Sequence, residues 1–223
     1  MRGFFLTLEG PEGSGKSTQA VKIVAYLRRL GRRVVHTREP GGTPLGESIR
    51  KLLLDPAYHS VCPETEFLLY EAVRAQHTRE KILRHLRGGG VVVCERYSDA
   101  SLAYQGFGRG LNLRTLMAVD RFATAGLKPS LTLLFDLPVE TGLRKAVAAK
   151  KEFAARGDRI ERAGLAFHRR VRRGYLTLAK RSKRLRVIPI VPASTPESTF
   201  GIVRKILDGY LNKSAADARH AKR

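Results

Sequence analysis

The apolar run Phe4 to Glu9 (FFLTLE) leads directly into Gly10-Pro11-Glu12-Gly13-Ser14-Gly15-Lys16-Ser17, and this junction constrains the chain more than any other stretch. The octapeptide meets the pattern G-x-x-x-x-G-K-[ST] at every fixed position, and that pattern requires a strand before it and a helix after it. Both are expected here. FFLTLE is short, apolar and β-prone, while Ala20, Val24, Leu27 and Leu30 recur at helical spacing until Gly31 supplies a stop. Glycines let the main chain curl so that successive N–H groups converge on an anion. The following helix adds the positive end of its dipole at the same place. Lys16 is expected to reach terminal phosphates as a point charge, with the Ser17 hydroxyl on Mg²⁺. A Gly-rich turn that binds nothing has no use for the Lys-Ser pair, so a nucleoside triphosphate is expected over residues Gly10 to Thr18.

A chain of 223 residues, 43% of them apolar, suits one α/β domain with a substantial core and argues against disorder. No apolar run approaches membrane-spanning length, and no secretory signal is expected ahead of the first strand. Cys62 and Cys94 lack metal-ligand spacing and read as reduced thiols, so a cytoplasmic protein is expected. The formal charge is +22, and it is unevenly spread. From Arg144 to Arg186 there are sixteen Lys or Arg against Glu152, Asp158 and Glu161. Such a stripe suits nucleic acid, or a small polyanion such as ATP. Without a zinc-finger or RNA-binding signature, phosphate handling is favoured and nucleic-acid binding is not expected.

Further along, Arg33 to Thr37 reads as a second strand, ending at Arg38-Glu39-Pro40-Gly41-Gly42-Thr43, where Pro-Gly-Gly forces a tight turn open to close approach by a ligand. A short helix is expected over 45–54 and a longer one over 64–87, with Phe67, Leu68, Ala72, Ala75, Ile82, Leu83 and Leu86 inward and Tyr70, Arg74 and His77 on its polar side. Val91 to Cys94 reads as a buried parallel strand ending at Glu95-Arg96-Tyr97. Ser101 to Gly110 should start helical and run into a loop, followed by a helix over 113–125. Leu131 to Asp136 and Arg186 to Val191 read as two more strands, with one or two helices between them, interrupted near Arg156 to Arg159. A final helix is expected over 196–211, and residues 212–223 as a polar, disordered tail. Strands alternating with helices imply a parallel sheet covered on both faces, with ligands beyond the carboxyl ends of the strands. That rule lines up Gly10–Ser17, Arg38–Thr43, Glu95–Tyr97 and Asp136 on one rim.

A phosphate loop alone does not separate kinases from switches or motors. Arg38, Arg74, Arg96 and Arg109 all fall in or beside rim segments. A triphosphate needs few of them, whereas a second phosphorylated substrate needs several, because guanidinium groups bind phosphate through paired hydrogen bonds. Tyr70, one turn before Arg74, is placed to stack on a base while the arginine reads its edge. Singly, each arginine reads as a surface charge and Tyr70 as a core aromatic. The cluster carries the inference.

REPGGT at Arg38 to Thr43, VRAQH at Val73 to His77 and AYQGFGRG at Ala103 to Gly110 together resemble the bacterial thymidylate kinases, and the similarity runs on to RRGYLTLA at Arg172 to Ala179. The resemblance implies a three-layer nucleoside-monophosphate kinase fold with a five-stranded parallel sheet, a helical lid over about 144–162, a homodimer, and the reaction of ATP with dTMP to give ADP and dTDP. It implies Lys16 and Ser17 on the ATP phosphates and Mg²⁺, and Glu12 near the sugar 3′-hydroxyl. Arg38 and Arg96 would hold the monophosphate, Tyr70 would stack on thymine and Arg74 would contact O4. Ser101, Tyr104 and Gln105 would line the deoxyribose and base side. No basic residue occupies the variable loop positions 11–14, so the catalytic arginine should come from the lid, Arg156 first and Arg159 second. One departure is Glu95-Arg96-Tyr97, where the family commonly begins with Asp; the longer side chain should shift its contact to Mg²⁺-bound water or to Arg38. Direct in-line transfer would need no protein nucleophile, only positioning and charge neutralisation by Lys16, Mg²⁺, Arg96 and the lid arginine. A same-fold kinase for another monophosphate, or a nucleotide-binding switch, remains the alternative at this stage.

Overall fold

In the computed structural model, which describes residues 3–149 and 158–220, five strands form one parallel sheet in the order β2-β3-β1-β4-β5. They are β1 (Phe4–Glu9), β2 (Val34–Arg38), β3 (Val91–Glu95), β4 (Leu131–Asp136) and β5 (Leu185–Pro189). β1 lies at the centre, in register from Phe4 with Val91 on one side and from Leu6 with Leu131 on the other. Its six residues are all buried, which is why it reads as a continuous apolar run and not as an alternating one.

Helices cover both faces. One face carries α1 (Lys16–Arg29) and the final helix α9 (Pro196–His220), whose Val203 and Leu207 pack with Ile23, Leu27 and Leu6. Elsewhere lie α2 (Pro44–Leu54), α3 (Pro63–His77), α4 (Leu83–Arg87), α5 (Ser98–Ser101), α6 (Leu113–Ala123), α7 (Val139–Ala149) and α8 (Leu165–Arg181). Local signals set their starts. Thr43 caps α2 by accepting from Gly46 N–H, and Asn112 caps α6 by accepting from the N–H groups of Arg114 and Thr115.

Three features depart from the sequence reading. Residues 63–87 form one helical run, but Thr78–Ile82 within it is π-helical, joining α3 to α4. The Ser101–Gly110 stretch is not a loop; α5 passes into a second π-helical turn, Leu102–Gly108. α9 continues to His220 in place of the frayed segment expected from Asn212, because AADARH contains good helix formers and no Gly or Pro to stop it. No described helix is long and apolar enough to cross a membrane.

The buried face of α3 is also not the one its apolar residues suggested. Leu68 is 56% exposed and Ala72 is exposed, while Glu66, Glu71, Arg74 and His77 are buried beside Phe67 and Val73. Charged groups tolerate this only when paired. Arg74 Nε donates to Glu39 Oε2 at 2.9 Å and its Nη1 ion-pairs Glu71, while Glu39 Oε1 lies 2.9 Å from His77 Nδ1.

Candidate active site at the strand ends

The carboxyl ends of β1, β2 and β3 open onto a cavity of about 530 Å³, within the range of small-molecule sites. Its walls include Gly13 to Thr18, Arg38, Tyr70, Arg74, Arg96, Ser101, Tyr104 and Gln105. The structure therefore gathers at one place most of the side chains singled out from sequence.

The loop after β1 bends as its glycines allow. Gly13 has φ +67, and a Cβ there would stand 2.1 Å from the Gly142 carbonyl oxygen at the start of α7, so only glycine fits. Gly10 and Pro11 do not line the cavity; their carbonyl oxygens accept from Lys16 Nζ at 3.1 and 2.8 Å. Lys16 also donates to Ser14 Oγ at 3.2 Å. Burial, with the positive charge of Arg96 nearby, lowers the Lys16 ammonium to about 8. An ammonium that loses its proton this readily is one that gains from an incoming anion.

Arg96 adopts φ +66, a left-handed conformation uncommon outside glycine. Two hydrogen bonds hold that turn: Arg96 N–H to the Leu8 carbonyl at 2.9 Å and Tyr97 N–H to Glu9 Oε1 at 2.8 Å. The guanidinium is thereby turned into the cavity, where Nη2 donates to Glu12 Oε1 at 2.6 Å and Nη1 to Tyr175 Oη at 3.1 Å and to the Gly10 carbonyl at 3.2 Å. It lies 4.8 Å from the centroid of the Tyr104 ring, and Tyr104 Oη donates to the same Glu12 oxygen at 3.0 Å. Burial works against the Glu12 charge, but Arg96 and then Lys16 outweigh it and bring its carboxyl down to about 2. Glu12, Arg96 and Tyr104 thus stand pre-assembled on one wall.

Glu95 takes Ser17 and His36 as partners, not Arg38. Its Oε2 accepts a short hydrogen bond from Ser17 Oγ and its Oε1 lies 2.9 Å from His36 Nε2, while Arg38 pairs instead with Glu47 at 2.9 Å. No described cluster of three or more His, Cys, Asp or Glu side chains makes an all-protein metal cage. Ser17 and Glu95 are two adjacent oxygen donors, which fits a Mg²⁺ ion completed by phosphate oxygens and water.

Three other residues sit differently from what their sequence context suggested. Arg74 lines the cavity, yet its guanidinium is 1% exposed and spent on Glu39, Glu71, Ser101 Oγ, Asp120 and the Tyr97 carbonyl. Its first task is to bracket α3 to the rim. Gly42 has φ +83, and the His77 ring comes within 2.6 Å of a Cβ built there, so glycine is required by the protein's own packing. Arg159 is not among the lining residues; it is buried against Glu66 and the Leu53 carbonyl and so is not aimed at a phosphate. Arg156 lies outside the described residues.

Sequence reasoning missed several lining or supporting groups. Arg50 lines the cavity and donates to the Pro40 carbonyl at 2.7 Å; its position on α2 facing REPGGT was the available signal. Lys145, Asp158, Ile160 and Glu161 also line it; they fall within the lid expected over about 144–162, but nothing in their spacing singled them out. Glu9 is buried at the end of β1, accepting from Tyr97 N–H and from Tyr175 Oη at 2.8 Å; burial and the neighbouring Asp99 raise its carboxyl to about 7. The basic stretch is partly consumed internally: Arg172 forks onto Asp136, Arg184 onto Asp99, and Arg169 pairs with Glu140.

Comparison with known proteins agrees with this geometry. A family model described as thymidylate kinase matches residues 8–200. The thymidylate kinase of Carboxydothermus hydrogenoformans is 50% identical over 209 residues, which are 94% of this chain and 98% of its own. That of Deinococcus radiodurans is 52% identical over 180 residues, 80% of this chain and 84% of its own. The crystal structure of thymidylate kinase from Ehrlichia chaffeensis is similar at a TM-score of 0.74 and 28% identity, covering 93% of this chain and 99% of that one.

Proposed function

The chain belongs to the thymidylate kinase family, and we propose that it transfers the γ-phosphoryl group of ATP to dTMP, giving ADP and dTDP. The observation that carries this reading is a single cavity with two anion-binding walls: the Gly13–Thr18 loop with Lys16 on one side and Arg96, Arg38 and Tyr70 on the other. A protein that only binds one nucleotide needs the first wall alone.

ATP phosphates would lie along Gly13 to Thr18, with Lys16 drawn from its carbonyl partners onto them. Mg²⁺, held by Ser17 and through water by Glu95, would neutralise phosphate charge. The dTMP phosphate would be gripped by Arg96 and Arg38, the sugar would rest against Glu12 and Tyr104, and thymine would lie between Tyr70 and the Arg74–Ser101–Gln105 side. The attacking group is an already ionised phosphate oxygen, so no side chain has to remove a proton; positioning and charge stabilisation carry the rate. Lys145 before residues 150–157 and Asp158, Ile160 and Glu161 after them line the cavity, which supports a lid over about 144–162. We assign the catalytic arginine to Arg156 within it, since Arg159 is committed to Glu66.

Leu45 and Leu52 on α2, Leu68 on α3, and Met117 and Phe122 on α6 are exposed apolar side chains on helices that pack side by side, α2 on α3 and α3 on α6, which supports a homodimer through these helices. Sedimentation should return twice the chain mass. A cytoplasmic location suits both the substrates and the free thiols of Cys62 and Cys94.

One consequence follows from Lys16. Near pH 8 the free protein carries this ammonium about half charged, and bound phosphates raise its affinity for a proton, so ATP binding there should take up roughly half a proton. Calorimetry in two buffers of different ionisation enthalpy reads this directly; uptake should fade as the pH is lowered, and its absence near pH 8 would remove Lys16 from the phosphates. The reaction itself is tested by ADP formation with dTMP, dUMP, dCMP, dGMP, AMP or no acceptor, where dTMP should lead clearly. A different leading acceptor would discard the assignments of Tyr70 and Arg74.

A further inference from the structure

Glu66 sits in the first turn of α3, fully buried, and its two oxygens are claimed from three directions. Oε1 accepts from Gln105 Nε2 at 2.8 Å and from Arg109 Nε at 3.2 Å. Oε2 accepts from Arg109 Nη2 at 2.9 Å and from Arg159 Nη1 at 2.6 Å. Burial opposes a charge at this position, but the hydrogen bonds from Arg109 and Gln105 and the charges of both arginines keep the carboxyl below its ordinary range. Glu66 itself does not line the cavity, but its partner Gln105 does, and its partner Arg159 lies between lining residues.

Gln105 faces the cavity from the π-helical turn. Asp158, Ile160 and Glu161 face it from the stretch that leads into α8, while Arg159, between them, turns away to Glu66. Arg159 also donates Nε to the Leu53 carbonyl at 2.9 Å and its N–H to the Leu54 carbonyl at 3.1 Å, at the end of α2. Arg109 lies 4.4 Å from the centroid of the Phe167 ring on α8. One carboxylate therefore fixes the spacing between the Gln105 wall and the 158–161 wall.

We propose that Glu66 is a positioning residue for the acceptor nucleotide, holding Gln105 on one oxygen and Arg159 on the other so that the two walls close on the same ligand. The proposal rests on the dTMP reading of this cavity. It places Glu66 outside the ATP side, because none of its partners belongs to the Gly10–Thr18 loop.

Glu66→Gln retains an acceptor for Gln105 but removes the charge that holds Arg159. The expected result is a rise of about tenfold in KM for dTMP, because buried donors lose their partner, with KM for ATP and kcat changed by no more than about twofold. Hydrogen exchange of the 158–163 amides should quicken by about tenfold or more, while those of β1 stay protected. Gln105→Ala added to Glu66→Gln should cost less than the sum of the two single changes. If Glu66→Gln does not fold, Arg159→Lys, which keeps the charge and loses the fork, should show the same split in KM with a smaller rise. An unchanged KM for dTMP in the folded variant, or equal changes in both KM values, overturns the proposal, as does full additivity with Gln105→Ala. Should the wild-type protein show no turnover with dTMP, the functional reading fails on its own. The linkage from Glu66 to the 158–163 wall is then upheld or rejected by hydrogen exchange.

Discussion

Lys16→Ala is expected to lower kcat by about 10³-fold or more, since it removes the one cation placed inside the phosphate loop. The loss should appear in chemistry and not in folding. In the free protein this ammonium is buried and lowered to about 8 from 10.5. A lysine depressed in this way contributes stability in full above its unfolded value, and that contribution is lost as the pH falls from there through about 8. At pH 7 its charge is thus a cost to the free fold, which the alanine variant escapes. Thermal unfolding of the variant without nucleotide at pH 7 should match or exceed the wild type, while ADP formation collapses. A variant that turns over near the normal rate would remove Lys16 from the mechanism.

Arg96→Ala should be nearly as damaging, with a fall of about 10²–10³-fold in kcat/KM for the acceptor. Two effects combine. The acceptor phosphate loses its principal fork, and Glu12 loses the partner that brings its carboxyl down to about 2. In the wild type that pairing contributes stability above the unfolded carboxyl range, lost as the pH falls towards 2. Without Arg96, burial pushes the Glu12 carboxyl upward, so the variant should lose roughly 1–3 kcal/mol at neutral pH, less than a fully buried pair because Glu12 is a quarter exposed. Arg96→Lys keeps a charge but not the fork or the stacking on Tyr104, and should recover only part of the activity. Unfolding in urea at pH 7 and at pH 4 separates the two contributions; an equal loss at both would contradict the role given to Glu12.

The central strands β1, β3 and β4 were legible in the sequence because they are buried on both faces. β1 and β4 run from Phe4 to Glu9 and from Leu131 to Asp136 as their apolar runs indicate, and β2 shifts by a single residue. The phosphate loop was legible because its residue types have one physical use. What was not legible depends on partners far away in the chain. Glu66, Arg74, His77 and Arg159 look like solvated charges in one dimension, and only the fold brings Glu39, Gln105 and Asp120 to them. The apolar periodicity of α3 pointed to Leu68, but its buried face is chosen by this ion-pair network. The two π-helical turns likewise leave no local mark in composition. At the site, Arg96 was marked by the abrupt charge after β3, whereas His36 on Glu95 was not marked.

The account stands most directly on the destination of one phosphoryl group. ATP labelled in its γ-phosphate, incubated with Mg²⁺, dTMP and the protein, should pass its label to dTDP, with one ADP formed per dTDP and little free phosphate. Label released as inorganic phosphate, or retained in ATP despite binding, would contradict it.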